Sequence, residues 1–127
     1  MEWEYEPDET PKRKHSWDKD EAGFITTGTA TVGKCPRGIS NSTARELLNT
    51  GIQWSPKHWE HGYPKRIYAI YQDVLYRAMP TNPGKSYHGF PEDPDSFAEL
   101  PKVLKKRILD HAERLGCLQG VRRWLKI

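Results

Sequence analysis

Within one short span, VLYRAMPTNPGKSYHGFP, the chain sets Arg77, Lys85, Tyr87 and His88 close together. These are the parts a metal-independent phosphodiesterase uses. An imidazole titrates near neutrality and serves as general base or acid, while cations stabilise charge growing on a phosphate. On this reading His88 moves the proton, Lys85 and Arg77 clamp the phosphate, and Tyr87 or Ser86 donates a hydrogen bond. The same surface also serves binding without catalysis. Tyr68, Tyr76, Tyr87 and Phe90, flanked by Arg66, Arg77 and Lys85, make the kind of platform on which unpaired bases stack, each stack contributing ~1 to 3 kcal/mol. The plain structural account is a histidine hydrogen-bonded in a turn and strand aromatics in the core.

Other patterns carry less chemistry. His58 and His61 have the H-x-x-H spacing that places two imidazoles on one face of a helix. Pro56, Gly62 and Pro64 leave little room for that helix, and no acid occupies the general-base position. Gly33-Lys34 is followed by Cys35 and so fails the spacing of a phosphate loop. Cys35 and Cys117 lie far apart without a CxxC spacing, which favours two free thiols in a reducing compartment over a disulfide or a zinc site. No metal or other cofactor is expected.

The net charge of +3 conceals a gradient. Residues 1–22 hold eight acids and four bases, residues 23–100 seven and eight, and residues 101–127 two and eight. A carboxy-terminal segment that basic suits a polyanion, of which nucleic acid is the commonest. Its candidate contacts are Lys102, Lys105, Lys106, Arg122 and Arg123, with Tyr76 on the sheet. A solvated helix face is the alternative reading of such a run.

The elements that position these residues follow from pattern and punctuation. Ile67–Tyr71 and Val74–Ala78 are β-branched, aromatic or aliphatic and are separated only by Gln72-Asp73, the length of a two-residue hairpin loop. That register sets Tyr71 against Val74, Ile70 against Leu75, Ala69 against Tyr76, Tyr68 against Arg77 and Ile67 against Ala78. Both faces are then apolar, so both require covering. Pro83-Gly84 suits a type II turn into a third strand, residues 85–90. Residues 23–33 read as a strand or a glycine-broken hairpin. Residues 40–50 read as a short helix with Ser40 or Thr43 as cap, Glu46 as capping partner and Gly51 at the end. Residues 52–64 form an aromatic connection without periodicity.

The main helix, residues 97–115, starts at Ser96 and carries an apolar stripe of Val103, Leu104, Ile108, Ala112 and Leu115. Alternation over residues 117–127 favours a closing edge strand. The expected fold is α+β: a small, mainly antiparallel sheet of three to four strands, one long helix and one short helix. Residues 23–127 make a single domain, preceded by a flexible acidic arm, residues 1–22, whose composition buries too little apolar surface to order it.

A length of 127 residues suits one domain with its own core. No run approaches the ~18 apolar residues of a membrane span, and MEWEYEPDE lacks the basic start of a signal peptide, so a cytoplasmic protein without a membrane partner is expected.

The run RIYAIYQDVLYRAMPTNPGKSYHGFP, with the basic helix and the closing RRWLK, is similar to small uncharacterised bacterial domains, some of them carboxy-terminal cassettes of polymorphic toxins. The resemblance covers about the second half of the chain and implies no residue roles. The leading expectation is a small basic module that binds RNA, single-stranded nucleic acid or another polyanion. The alternatives are phosphodiester cleavage centred on His88 and a protein partner held by the aromatic loop, residues 54–63.

Overall fold

The computed structural model describes residues 2–6, 22–27, 30–34 and 39–127. Its centre is the expected hairpin. β5 (Arg66–Tyr71) and β6 (Val74–Asn82) pair in the register derived above. Gln72 and Asp73 close the turn with φ of +48° and +66°, the two positive values that a type I′ turn needs to match strand twist. β7 (Ser86–Pro91) pairs with β6, after a turn in which Gly84 supplies a φ of +82°.

The sheet is larger than the sequence implies. β4 (Ile52–Trp54) lies antiparallel to β5, and β1 (Glu4–Tyr5) runs parallel to β7, giving the order β1-β7-β6-β5-β4. It is a mixed sheet of five strands rather than three or four. β2 (Gly23–Thr27) and β3 (Ala30–Lys34) make the expected glycine-broken hairpin, but as a separate two-stranded sheet. Within the expected arm, residues 2–6 dock on the body through Trp3, which is buried and whose N–H and carbonyl pair with the side-chain amide of Asn49 at 2.7 and 2.9 Å. Residues 7–21 of the expected arm, including Trp17, lie outside the described residues, as does Cys35.

Four helices complete the fold among the described residues. α1 (Asn41–Thr50) is capped by Ser40, whose hydroxyl accepts from the Thr43 N–H at 3.1 Å. It covers one face of the hairpin through Leu48 and Ala44, against Ile67, Ala78 and Tyr76. The long helix is divided. α2 (Pro94–Ala98) is capped by Asp93 rather than Ser96, and α3 (Lys102–Arg114) begins after Pro101, which has no N–H to continue the ladder and disfavours helix at Leu100. Residues 118–125 are a helix, α4 (Leu118–Leu125), not an edge strand. Val121 and Leu125 lie four apart and both are buried, so over so short a stretch the helical spacing fits the same residues as the alternation.

The other face of the hairpin holds the largest core. There Tyr68, Ile70 and Leu75 meet Phe97, Leu104, Ile108, Val121 and Leu125. No helix among the described residues is long and apolar enough to cross a membrane.

Gly51 marks the end of α1 for a reason different from the expected cap. Its φ is −77°, which any residue adopts, but a Cβ there would stand 2.6 Å from the Tyr68 carbonyl oxygen and 2.9 Å from Ile67 Cγ2. Close approach of helix end to strand is what excludes a side chain. Gly51→Ala is expected to lose about 1 to 3 kcal/mol, because backbone rather than a movable side chain must yield. Urea denaturation checks this, and a loss within 0.5 kcal/mol, the ordinary range for a surface change, would show the helix end to be loosely seated.

Candidate nucleic-acid interface

Alternation along paired strands sorts side chains by face. Trp54 opposite Arg66, Tyr68 opposite Arg77, Arg77 opposite Phe90 and Met79 opposite His88 put these residues on the face covered by α2, α3 and α4. The helices fill that face around Ile70 and Leu75, near the hairpin turn. Toward the opposite end of the strands, Trp54, Arg66, Met79, His88 and Phe90 are half-buried.

Two guanidinium groups lie over aromatic rings in this region. Arg66 is 5.6 Å from the ring centre of Trp54, and Arg77 is 5.7 Å from that of Tyr68. Their circumstances differ. Arg77 donates through both Nε, at 3.0 Å, and Nη2 to one carboxylate oxygen of Glu92, whose side chain is 1% exposed. Burial holds the Glu92 carboxyl above the usual carboxylate range, outweighing the attraction of Arg77. Burial likewise raises the Tyr68 phenol, with Arg77 opposing. By contrast, Arg66 lies beside the Tyr68 hydroxyl, whose oxygen can accept from the guanidinium, and this contact opposes the upward effect of burial on the phenol.

The four residues singled out for catalysis do not converge. His88 Nδ1 lies 2.6 Å from Thr81 Oγ1, and its ring stacks on Phe90 at 6.3 Å. Thr81 sits where the β6–β7 register shifts between Pro80 and Asn82, an irregularity of the kind that redirects a side chain. Arg77 shares the His88 face, but its guanidinium is directed to Glu92. Lys85 is exposed at the β6–β7 turn. Tyr87 is on the opposite face and fully buried; its hydroxyl donates to the Pro64 carbonyl at 2.6 Å, and burial pushes its pKa up to about 12. A phenol so placed has no access to a phosphate beside His88. Tyr76 is also buried on that opposite face.

The carboxy-terminal bases divide between the two ends of the sheet. On α3, Lys102 and Lys106 are exposed, Lys105 is half-buried, and Lys106 pairs with Asp110 at 2.7 Å. Arg107 donates to the Gln53 carbonyl at 3.3 Å, which joins this cationic helix to the strand that carries Trp54. Arg122 and Arg123 are exposed on α4, whose Gly120 packs against the Asp73 side chain at the hairpin turn. There Arg123 and Lys126 border a depression of about 640 Å³ shared with Asp73, Asp93 and Asp95. Acids offset bases at that end.

Neither Trp54 as a strand residue nor Glu92 as a buried charge stands out from the sequence alone. Trp54 had a usable signal, since Ile-Gln-Trp alternates, but three residues are too few to establish a period. Glu92 in PEDPD reads as a turn acid; only the fold shows it to be Arg77's counter-charge. No family model, curated protein or solved structure matches the chain.

Proposed function

We propose that the protein binds single-stranded nucleic acid, RNA above all, along the strip of Trp54, Arg66, His88 and Phe90 and the adjoining cations of α3. The observation that carries this reading is the contact between Arg66 and Trp54. It sets a half-buried guanidinium beside an indole ring, so a phosphate and an unpaired base find their partners a few ångströms apart. Arg107 reaches the Gln53 carbonyl from α3, and Lys102 and Lys105 belong to the same helix, while Lys106 is paired with Asp110. A duplex keeps its base faces stacked inside and has less use for such a strip.

Fluorescence anisotropy of a labelled oligouridine, titrated over a range of salt concentrations, tests the reading. With three to four phosphates neutralised, log K is expected to fall with log[salt] at a slope of about −2 to −3. Arg66→Ala and Lys105→Ala weaken binding and flatten the slope. Arg45→Ala makes the same change of charge on exposed α1, across the sheet, and leaves both unchanged. A response indifferent to salt, or equal losses for Arg45→Ala and Arg66→Ala, contradicts the reading. Cleavage of the oligonucleotide with EDTA present, abolished by His88→Ala, replaces it with a phosphodiesterase whose imidazole is oriented by Thr81.

A further inference from the structure

The connection between β4 and β5 folds a cluster of rings beside Trp54. Trp59 and Tyr63 meet edge to face with centres 5.5 Å apart, His61 lies 4.4 Å from Trp59, and His61 stacks on Tyr63 at 5.5 Å. The cluster is tied down. Trp59 Nε1–H donates to the Tyr63 carbonyl at 2.7 Å, the Lys65 ammonium lies 5.8 Å from the Trp59 ring centre, and the Tyr87 hydroxyl holds Pro64 to the sheet. Between the rings and β4 runs a cleft of about 320 Å³, whose walls include Trp3, Gln53, Trp54, Ser55, Trp59 and His61. That is at the small end of ligand pockets, which span ~300 to 1,000 Å³.

We infer that this cleft is a nucleobase pocket, taking one unpaired base of a strand whose backbone passes Arg66. The inference rests on the single-strand reading above and adds base selectivity to it. A base is a planar ring with a π-face and an edge of donors and acceptors. Indole and imidazole walls suit the face, and the exposed Gln53, Ser55 and His61 suit the edge. Trp54 is the link, because it forms one wall of the cleft while Arg66 lies over its ring, so a base in the cleft has a cation next to it for its own phosphate.

Trp3, which also lines the cleft, is only 4% exposed and packs with Leu48, Ile67 and Tyr87, so that wall is held rigidly. A neutral sugar would stack on the same rings but would give Arg66 no counter-charge.

Tryptophan fluorescence of the intact protein, titrated with the four nucleoside 5′-monophosphates, ribose 5-phosphate and glucose, tests the pocket alongside anisotropy with four labelled homopolymers. The expected result is saturable binding of monophosphates with a preference among bases, and much weaker binding of ribose 5-phosphate. Trp59→Ala weakens the preferred homopolymer by roughly 5- to 150-fold. His61→Ala and Gln53→Ala alter exposed side chains with little risk to the fold, and they reduce the spread among homopolymers. Homopolymers that bind equally well, with His61→Ala and Gln53→Ala silent, overturn the pocket and leave the single-strand reading standing. Monophosphate binding without oligonucleotide binding overturns the single-strand reading instead. Saturation by glucose makes the cleft a sugar site and overturns the inference.

Discussion

Glu92→Ala is expected to destabilise the fold by about 3 to 5 kcal/mol, because it strands the largely buried Arg77 guanidinium without the carboxylate that pairs with it. Arg77→Ala strands the carboxylate in the same way. Replacing both at once, Arg77→Met with Glu92→Leu, is expected to cost less than either single change, since the stranded charge and not the lost attraction dominates. Urea denaturation of the four proteins measures this coupling, and additive losses would show the pair to be solvated.

The pair also has a pH signature. Because burial raises the Glu92 pKa in the fold above its ordinary 4.5, the native state holds this proton more tightly than the unfolded chain does. The stability Glu92 contributes is therefore fully present below about pH 4.5 and is lost as pH rises through the raised value. Glu92→Gln cannot ionise and lacks that component, so its stability relative to wild type improves from pH 4.5 to 7. Movement in the opposite direction would mean that Arg77 outweighs burial.

Trp3→Ala should have an effect of similar size, about 3 to 5 kcal/mol, or a fall in Tm on the order of 10 °C. Trp3 packs with Leu48, Ile67, Ala78 and Tyr87, meeting the Tyr87 ring edge to face at 5.5 Å. It also anchors β1, which pairs with β7 over only two residues, Glu4 against Ser86 and Tyr5 against Tyr87. So short a pairing depends on the buried indole to hold it. Thermal unfolding by circular dichroism reads the loss; a change of less than 1 kcal/mol would mean that residues 2–6 are dispensable.

These two sites mark where local pattern stops being informative. The β5–β6 hairpin was legible to the residue because its turn length, its alternation and the packing of both faces all agree. α1 was legible from Ser40 and its apolar positions. β1 was not, because a two-residue parallel pairing to a strand some eighty positions away leaves no local period, and Asn49, which clasps Trp3, reads as an ordinary helix residue. α4 was misread because Val121 and Leu125 satisfy two periods at once. The binding strip was legible only in composition. Tyr68, Tyr76 and Tyr87 are all core residues, Tyr68 under the helices and the other two on the opposite face, and the indole beside Arg66 comes from β4, outside the hairpin.

The most direct test of the account is the response of the tryptophan indole N–H signals in a ¹⁵N–¹H spectrum as a short oligouridine is added. The protein has five tryptophans, each giving one such signal. Trp54 and Trp59 are expected to shift together and saturate, while Trp124 of α4, whose N–H is bonded to the Glu92 backbone carbonyl at 3.0 Å, stays in place. Movement of Trp124 with Trp54 and Trp59 unmoved would put any nucleic acid at the hairpin-turn end of the sheet and contradict the proposed interface.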